Sequence, residues 1–417
     1  MPASMNKHSW VPKLRFPEFR EAGAWETIPL SQLAKRSTQK NSLDELNRVL
    51  TNSAEFGVID QRDYFDKDIA NQDNLEGYFV VKKGDYVYNP RISTMAPVGP
   101  ISKNNIETGI MSPLYTVFRF SSSDNDFYAY YFKTTGWHQY MRQASSTGAR
   151  HDRMAITNGD FMAMPLPVTS PEEQQKIADC LASLDELIAL EAQKLDTLKT
   201  HKKGLMQQLF PAEGETLPKL RFPEFREAGQ WEEKRLGEVG SVRMCKRIFK
   251  EQTNSLGDIP FCKIGTFGGV PDAYISREIF ESYRNNFPFP KNGAVLISAA
   301  GTIGRTVRYE GELAYFQDSN IVWLDNNEKL IADNFLFYLY QLINWAPSVG
   351  AIQRLYNENI LGAQVKYPSI PEQQKIADCL ASLDDLIAAQ TQKLAALKAH
   401  KKGLMQQLFP VLEEAPA

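Results

Sequence analysis

Two long stretches of the chain carry apolar residues in alternating steps of four and three positions. This is the heptad pattern of a coiled coil, so each stretch is predicted to form a helix of about 39 residues, roughly 58 Å long. The predicted seam residues are Ile177, Leu181, Leu184, Ile188, Leu195, Leu198, Leu205 and Leu209 in the first helix, and Ile376, Leu380, Leu383, Ile387, Leu394, Leu397, Leu404 and Leu408 in the second.

Four further seam positions are polar. The first helix has Glu191 and Lys202, and the second has Gln390 and Lys401. Buried polar residues at such positions set register and direction at some cost in stability. A heptad seam needs a partner, and the other helix of the same chain is the nearest candidate. We therefore predict an antiparallel coiled coil with pseudo-two-fold symmetry; the alternative is that each helix packs only on its own neighbouring body.

The helices belong to a larger internal repeat. The repeated segments are PKLRFPEFREAG (12–23 and 218–229), EQQKIADCLASLD (173–185 and 372–384) and HKKGLMQQLFP (201–211 and 400–410). The bodies between these segments look almost unrelated, which indicates one duplicated module whose globular part diverged. The predicted organisation is a first globular domain at 12–169, a helix at 170–211, a linker at 212–217, a second globular domain at 218–369 and a helix at 370–411.

Both bodies mix strand-like and helical patterns. Short β-like runs occur at 78–88, 293–298 and 320–324, and aromatic helical stretches occur at 126–141 and 333–346. No regular βαβ alternation is visible, so the predicted fold class is α/β in the broad (α+β) sense, in two copies, each followed by a long helix.

The cysteine content, the absence of long apolar stretches and the charge exclude several classes of protein. Four cysteines without a CxxC pair or a clustered His/Cys set argue against disulfides and zinc, and indicate a reducing compartment. The N-terminus lacks a secretory pattern and no stretch of 18 apolar residues occurs, so we expect a cytoplasmic protein. Net charge is −3, but basic and acidic residues balance within each body. Charge therefore permits a local basic face for nucleic acid without demonstrating one.

Motifs for catalysis are missing from the sequence. There is no phosphate-binding GxxxxGK[ST] loop, and the two glycines of AAGTIGR at 299–305 are too few for a dinucleotide fingerprint. Asn89–Pro90–Arg91 lacks the second proline and the aromatic residue that hold a flipped adenine in methyltransferases. His151 and Asp152 lie beside no nucleophile motif, so a solvated loop is the simpler interpretation. We predict no catalytic residues, no metal site and no cofactor.

Basic and amide side chains remain on the loops of both bodies. Arginine and glutamine read guanine and adenine edges with two hydrogen bonds, so these residues are candidates for DNA contact, although each one alone is more often an ordinary surface residue. The candidates are Arg91, Lys103, Arg142, Arg150 and Arg153 in the first body, and Lys246, Arg247, Arg305, Arg308, Gln353 and Arg354 in the second.

The whole arrangement resembles the specificity subunit (HsdS) of type I restriction–modification systems. The resemblance rests on PKLRFPEF at the head of each half, on LP or IP followed by EQQKIA at the start of each helix, and on KKGLMQQLF at each helix end. It implies two target-recognition domains, each reading one half of a bipartite, asymmetric DNA target. The paired helices would fix the gap between the halves.

The resemblance also implies partners that carry the chemistry. Methyltransferase subunits, two in number, would dock around the helices and methylate adenine with S-adenosylmethionine, and ATP- and Mg²⁺-dependent restriction subunits would cut unmethylated DNA in phage defence. Family members vary in their base-contacting residues, so the candidates above come from the loops alone. Three alternatives stay open: a specificity-like adaptor of another defence complex, a solitary inactive relic, and a self-contained DNA methyltransferase or nuclease.

Overall fold

Two compact units make up the chain in a computed structural model that describes residues 10–42, 46–64, 75–147, 152–345 and 353–410. The first unit comprises the described residues up to Ala192 together with those from Gln392 onwards, and the second runs from Gln193 to Thr391. Each unit therefore combines segments from both copies of the sequence repeat.

The first unit contains twelve short strands and five short helices within the described ranges. Its strands are β1 (Glu26–Pro29), β2 (Ala34–Arg36), β3 (Leu50–Ser53), β4 (Gly57–Asp60), β5 (Phe79–Val81), β6 (Tyr86–Tyr88), β7 (Ile101–Lys103), β8 (Gly109–Met111), β9 (Thr116–Phe120), β10 (Ser146–Thr147), β11 (Met154–Ala155) and β12 (Pro165–Val168). Its helices are α1 (Leu30–Leu33), α2 (Gln61–Tyr64), α3 (Asp126–Tyr131), α4 (His138–Ala144) and α5 (Asn158–Met162). The long helix α6 (Pro171–Leu209) begins in this unit and ends in the second.

The second unit has nine strands and four short helices in the part that the structure describes. Its strands are β13 (Glu232–Arg235), β14 (Gly240–Arg243), β15 (Ile259–Cys262), β16 (Tyr274–Ile275), β17 (Val295–Ser298), β18 (Thr306–Arg308), β19 (Tyr315–Phe316), β20 (Ile321–Asn326) and β21 (Gln364–Tyr367). Its helices are α7 (Leu236–Val239), α8 (Arg277–Asn286), α9 (Asp333–Leu342) and α10 (Asn357–Leu361). The long helix α11 (Ile370–Leu408) begins here and ends in the first unit.

Each unit is organised around an antiparallel four-stranded sheet with the same strand order. The order is β2-β9-β6-β7 in the first unit and β14-β20-β17-β18 in the second. A two-stranded ribbon accompanies each sheet, β1–β12 in one and β13–β21 in the other. The predicted mixed α/β bodies are confirmed, and one scaffold underlies two sequences that look very different.

Elements outside this scaffold differ between the units. The first unit adds three two-stranded ribbons, β3–β4, β5–β8 and β10–β11. The second adds a three-stranded sheet of order β16-β15-β19, in which β15 and β19 are parallel. The structural differences between the two units thus lie mainly in additions to a shared sheet.

Aromatic residues form the core of the first unit. Tyr86 and Phe118 face each other across β6 and β9 with ring centroids 5.6 Å apart, and Phe120 stacks on Tyr128 of α3 at 4.6 Å. Aromatic side chains suit both a half-buried strand and a helix face, and offset or edge contacts between them add to the burial of their area. This packing fixes α3 against the sheet.

Two predicted elements are each divided in the structure. The run at 78–88 forms two strands, because the chain turns at Gly84 with φ +90 between β5 and β6. The aromatic stretch at 126–141 forms α3 and α4 rather than one helix. Thr134 Oγ1 donates to Tyr131 O at 2.7 Å, and this side-chain bond ends α3 before the chain turns into α4.

The long helices run antiparallel within each unit. In the first unit Lys401 donates to Asp185, and Lys393 Nζ lies 2.5 Å from Glu191 Oε1. Residue numbers therefore fall along α11 as they rise along α6, so the two helices run in opposite directions. In the second unit Lys202 Nζ lies 2.5 Å from Asp384 Oδ1. The predicted pair of long helices is confirmed. Every predicted seam position is buried or half-buried, and the pattern along α6 repeats along α11.

The end of each long helix completes the core of the unit that it reaches. Phe409 packs on Phe127 of α3 at 5.1 Å in the first unit, and Phe210 stacks on Phe335 of α9 at 5.2 Å in the second. The alternative that each helix packs only on its own body is therefore wrong. Among the described helices, none combines the length and apolar character that a membrane crossing requires.

Candidate nucleic-acid interface

Several interface candidates lie around one connection in each unit, and a glycine determines the path of that connection. In the β6–β7 connection Gly99 adopts φ +79, and a Cβ there would lie 2.1 Å from Asn89 O. In the β17–β18 connection Gly304 adopts φ +80, and a Cβ would lie 2.4 Å from Trp345 Cδ1. Both positions need glycine, because the backbone is left-handed and no room exists for a side chain.

The chain segment that returns towards the long helix lies against this connection in both units. Arg153 pairs with Arg91 in an isolated antiparallel bridge, and Arg354 pairs with Ala300 in the same way. Backbone hydrogen bonds flank both bridges. The strand registers make Arg153 and Arg354 equivalent, and they make Arg91 equivalent to Ala300. The same backbone place therefore carries an arginine in one body and an alanine in the other.

The arginines of the first unit are available for a bound acceptor. Arg91 is exposed, and its backbone amide donates to Asn89 Oδ1 at 3.0 Å. Arg153 Nε is buried without a hydrogen-bond partner among the described residues, and the nearer carboxylate oxygen of Asp152 lies 3.9 Å away. The Arg153 side chain as a whole is 36 % exposed, which leaves the outer part of its guanidinium open to a phosphate or base oxygen.

Three arginines of the second unit are held by hydrogen bonds, two of them at a tight turn formed by Asp318 and Ser319. Ser319 has φ 55, and its carbonyl accepts a hydrogen bond from the Arg354 guanidinium. Arg247 Nε donates to Asp318 Oδ2 at 2.9 Å while remaining largely exposed. Arg305 is exposed, and its Nη2 donates to Gly268 O at 3.2 Å. Three guanidinium groups are thus held in place on this part of the unit.

Of the six remaining candidates, three make contacts within their own unit, two are exposed and one lies outside the described residues. Lys103 donates to Asp126 at 2.7 Å and is only 11 % exposed, so its ammonium group is occupied. Arg308 lies over the Phe337 ring at 4.8 Å, and Lys246 lies over Phe287 at 5.0 Å. Arg142 on α4 and Gln353 are exposed. Arg150 lies outside the described residues, as does His151.

A repeated ion pair anchors each body to its long helix, and the sequence pattern alone did not reveal it. Arg15 Nε and Nη2 donate to the two carboxylate oxygens of Glu173 at 2.6 and 2.7 Å, and Arg221 makes the same two bonds to Glu372 at 2.7 Å. A forked arginine–carboxylate pair is strong and directional. The signal was present as duplication: PKLRFPEF supplies the arginine, and EQQKIA supplies the glutamate.

The pKa of Glu173 reflects its place in this ion pair. Burial by itself would raise the pKa of Glu173, but the hydrogen bonds from Arg15, Thr169 and Trp25, with the Arg15 charge, outweigh burial and hold that pKa below its usual value. The carboxylate is therefore ionised near neutral pH and keeps the start of α6 attached to the body.

Two cysteines and one histidine of the described residues have strongly shifted pKa values. Burial raises the pKa of Cys245 to about 12 and that of Cys262 to about 11, so neither thiol is a nucleophile near neutral pH. Burial, with the nearby Arg142 charge, lowers the pKa of His138 to about 4. Within the described ranges, no group of three or more His, Cys, Asp or Glu side chains could hold a metal ion.

Solved structures share this fold. The S subunit of a type I restriction–modification system from M. genitalium aligns over 97 % of this chain and 100 % of its own, with a TM-score of 0.58 and 15 % identity. A chain from a structure concerning complex assembly and conformational transition of the type I R-M system aligns over 92 % of this chain and 96 % of its own, with a TM-score of 0.55 and 17 % identity. At these identities the similarity concerns the fold.

Two relatives found by sequence similarity carry the names of type I restriction enzyme specificity subunits. A protein of Haemophilus influenzae that carries the name of a type I restriction enzyme specificity subunit is 41 % identical over 247 residues, which is 59 % of this chain and 62 % of that protein. The MjaVIII specificity subunit of Methanocaldococcus jannaschii is 25 % identical over 287 residues, 64 % of this chain and 65 % of that subunit. The alignments thus span under two thirds of either relative.

The family model for the type I restriction modification DNA specificity domain matches twice, at residues 24–200 and 229–399. Each match covers one body and most of the helix that follows it. Together the matches include well over half of the chain. The chain therefore belongs to the family of type I restriction modification DNA specificity domains.

Proposed function

We propose that this chain is the non-catalytic DNA-recognition subunit of a type I restriction–modification complex. Each body would bind one half of a bipartite, asymmetric DNA target. The observation that carries the proposal is that one backbone position, on the same connection of the same sheet, presents Arg91 in the first body and Ala300 in the second. Two readers of different half-sites require a common scaffold with different side chains at equivalent places.

The basic side chains are suited to this role by their charge and by how they are held. Arginines supply both phosphate contacts, which give affinity, and base-edge contacts, which give specificity. Backbone bridges tie the main chain of Arg153 and Arg354 to the connection, and the Arg354 guanidinium also donates to Ser319 O, so less of this region has to be ordered when DNA binds. In the second body the region around Arg354 is larger. It also includes Arg305, Arg247 and the turn at Gly304.

The chemistry would reside in partners. We propose two methyltransferase subunits docked along the long helices, using S-adenosylmethionine, and restriction subunits that use ATP and Mg²⁺. The names of the relatives, which place them in type I restriction enzymes, support this assignment. The complex would act in the cytoplasm, where it meets chromosomal and phage DNA.

Exchange of one body tests the proposal of two readers. Residues 24–168 would be replaced by the corresponding body of a relative, and adenine methylation would be mapped by single-molecule sequencing in a host that carries the system. We expect one half of the methylated motif to change and the other half to persist. The matched exchange of residues 230–368 should change the opposite half. Simultaneous change of both halves, or no redirection by either exchange, would refute the proposal.

Helix length tests the proposal that the helices set the gap between half-sites. One heptad inserted after Leu195 and one after Leu394 keep the seam in phase and lengthen each helix by about 10 Å. Since B-DNA rises about 3.4 Å per base pair, the preferred gap should grow by up to roughly three base pairs. Insertion of five residues at the same places is the control, because it turns the following apolar positions away from the seam. Binding with the original gap after heptad insertion would contradict the proposal.

A further inference from the structure

A groove in the first unit lies between the start of the long helix α6 and the connection from β9 to α3. Its volume is about 550 Å³, which falls within the roughly 300–1,000 Å³ of ordinary ligand sites. Its lining includes the buried side chains of Phe120, Tyr128 and Ala178 and the half-buried Leu33. The groove is therefore large and apolar enough to take up a few side chains of a polypeptide.

The second unit contains the equivalent place, which hydrogen bonds and strand pairing identify. Tyr130 of α3 and Tyr338 of α9 each donate to the corresponding aspartate of a long helix, so the two short helices are equivalent. The pairing of β2 with β9 and of β14 with β20 makes the strand ends Phe120 and Asn326 equivalent. The chain from Asn326 to Tyr338 is two residues longer than the chain from Phe120 to Tyr130. The connection before the helix therefore differs in length between the units.

The longer connection of the second unit covers this place with its own side chains. Ile331 is completely buried and Leu330 is partly buried in the core of the unit. Gln373 of α11 is buried as well. Its Nε2 donates to Leu330 O at 2.7 Å, and its Oε1 accepts a hydrogen bond from the backbone amide of Ala332 at 2.9 Å. Two aliphatic side chains followed by a backbone amide thus fill the site of the second unit.

The shorter connection of the first unit leaves the corresponding glutamine uncovered. Gln174 has the same position in the EQQKIA repeat as Gln373, but it is only half-buried and lines the groove. Its side chain donates to Thr169 O at 2.9 Å and bonds Tyr128 instead of the connection. The connection at 121–124 reads SSSD and brings no aliphatic side chain into the groove. The first unit therefore lacks the side chains that fill the same site in the second.

The charge on the groove favours a basic occupant. Three residues of its lining are acidic and none is basic. Asp126 is matched by Lys103 at 2.7 Å, whereas Asp124 and Glu172 are exposed and form no ion pair with another described residue. The first turn of α6 contributes about half a positive charge, which two carboxylates outweigh. A cation beside an apolar surface therefore suits this groove.

We propose that the groove docks an extended segment of a partner protein in which a lysine or arginine directly precedes two aliphatic residues. The second unit carries this order within its own chain, because Lys329 precedes Leu330 and Ile331. The aliphatic side chains of the segment pack on the aromatic floor of the groove, and its cation lies beside the two unpaired carboxylates. Since the second unit fills its own site, each chain binds one such segment. The inference does not depend on DNA binding by the bodies.

A labelled peptide tests the order of residues in the segment. The peptide GSKLIAGS would be titrated by fluorescence anisotropy against the purified full-length chain, beside GSELIAGS and GSKSSAGS. We expect GSKLIAGS to bind saturably, the reversed charge to weaken binding at least about fivefold, and the loss of both aliphatic side chains to weaken it at least about tenfold. Absence of saturable binding by GSKLIAGS, or equal binding of all three peptides, would overturn the inference.

Charge variants locate the binding in the groove. The double variant Asp124→Asn with Glu172→Gln should reduce the preference for GSKLIAGS over GSELIAGS to less than about twofold. Glu186→Gln is the matched control, since Glu186 is exposed on the same helix, about 21 Å along it from Glu172. This control should keep the full preference. An undiminished preference in the double variant would place the peptide elsewhere and so refute the inference.

Exchange of the connection tests whether the two sites are equivalent. Residues 121–124 would be replaced by NEKLIA, the sequence of residues 327–332. We expect GSKLIAGS to bind this variant at least about tenfold more weakly, because its own aliphatic side chains then fill the groove. The exchange NEKSSA has the same length without those side chains, and its binding should stay within about threefold of the wild type. Equal binding by the wild type and a folded NEKLIA variant would contradict the inference; if that variant fails to fold, the charge variants decide.

Discussion

Lys202 donates a hydrogen bond to Asp384 at 2.5 Å, and its ammonium group lies 5.1 Å from the centre of the Tyr338 ring. Tyr338 in turn donates to the other oxygen of Asp384 at 2.9 Å. Lys401 and Asp185 repeat the contact in the first unit, so the lysine on the seam of each helix pairs with an aspartate of the other helix. Because only one register brings both lysines to both aspartates, this pair fixes the alignment of the helices.

Removal of the Lys202 contact should destabilise the second unit. We expect Lys202→Met to lower the free energy of unfolding by about 1–2 kcal/mol, a discounted value because Asp384 is 38 % exposed and partly screened by solvent. A double-mutant cycle with Asp384→Asn, measured by urea unfolding, should give a coupling energy of about 1 kcal/mol. Lys203→Met, at an exposed position on the same helix, is the control. Independent effects of the two substitutions would contradict the pairing.

Low pH should destabilise the first unit, because it protonates Glu173. Its pKa is held below the usual value in the folded protein, so its contribution to stability is complete above the unfolded pKa of about 4.3 and is lost as pH falls through the lower folded value. Glu173→Gln should therefore flatten the fall of the melting temperature below about pH 4.5. Thr169→Val removes one hydrogen bond to the carboxylate and should give an intermediate slope. An unchanged slope in Glu173→Gln would contradict this assignment.

Glycine at position 304 should be far less replaceable than glycine at position 293. Both residues have positive φ, +80 and +88, but a Cβ at Gly304 would lie 2.4 Å from Trp345 Cδ1, whereas nothing lies within 4 Å of a Cβ at Gly293. Gly293→Ala should cost only the backbone strain, about 1–2 kcal/mol, and Gly304→Ala a further 1–3 kcal/mol or so from overpacking. Urea midpoints compare the two variants, and Trp345→Ala should relieve most of the difference. Equal costs would show that Trp345 moves aside freely.

Two basic residues of the first body should behave differently towards DNA. Arg91→Ala should weaken binding by about 1–3 kcal/mol and relax the preference at one base position, because its guanidinium is exposed on the β6–β7 connection. Lys103→Ala should change the binding free energy by less than about 0.5 kcal/mol, since that ammonium group is occupied by Asp126. Anisotropy titrations at one fixed salt concentration compare them. A larger loss for Lys103→Ala than for Arg91→Ala would place the DNA-binding face elsewhere.

Elements with a regular local pattern could be predicted from the sequence, whereas features that depend on contacts between distant residues could not. The 4-3 spacing from Ile177 onwards was enough to predict both long helices, because a heptad pattern is local and regular. The common strand order of the two sheets could not be predicted, because strand order depends on pairing between residues far apart in the chain. A glycine with positive φ precedes both β6 and β17 (Gly84 and Gly293), but this local turn does not say which strands lie beside them. Likewise nothing local to Lys103 distinguishes it from Arg91; only its proximity to Asp126 does.

The last residues of the long helix α11 have a consequence for synthesis on the ribosome. Phe409 packs on Phe127 and Tyr131, and the backbone amide of Leu14 donates to the carbonyl of Gln407 at 3.0 Å. Of the two bodies, the one that leaves the ribosome first therefore remains without part of its core until the chain has been translated as far as Phe409. The second body faces no such delay, because Phe210 precedes it in the chain. Nascent chains arrested before the codon for Leu408 should thus carry a protease-sensitive first body.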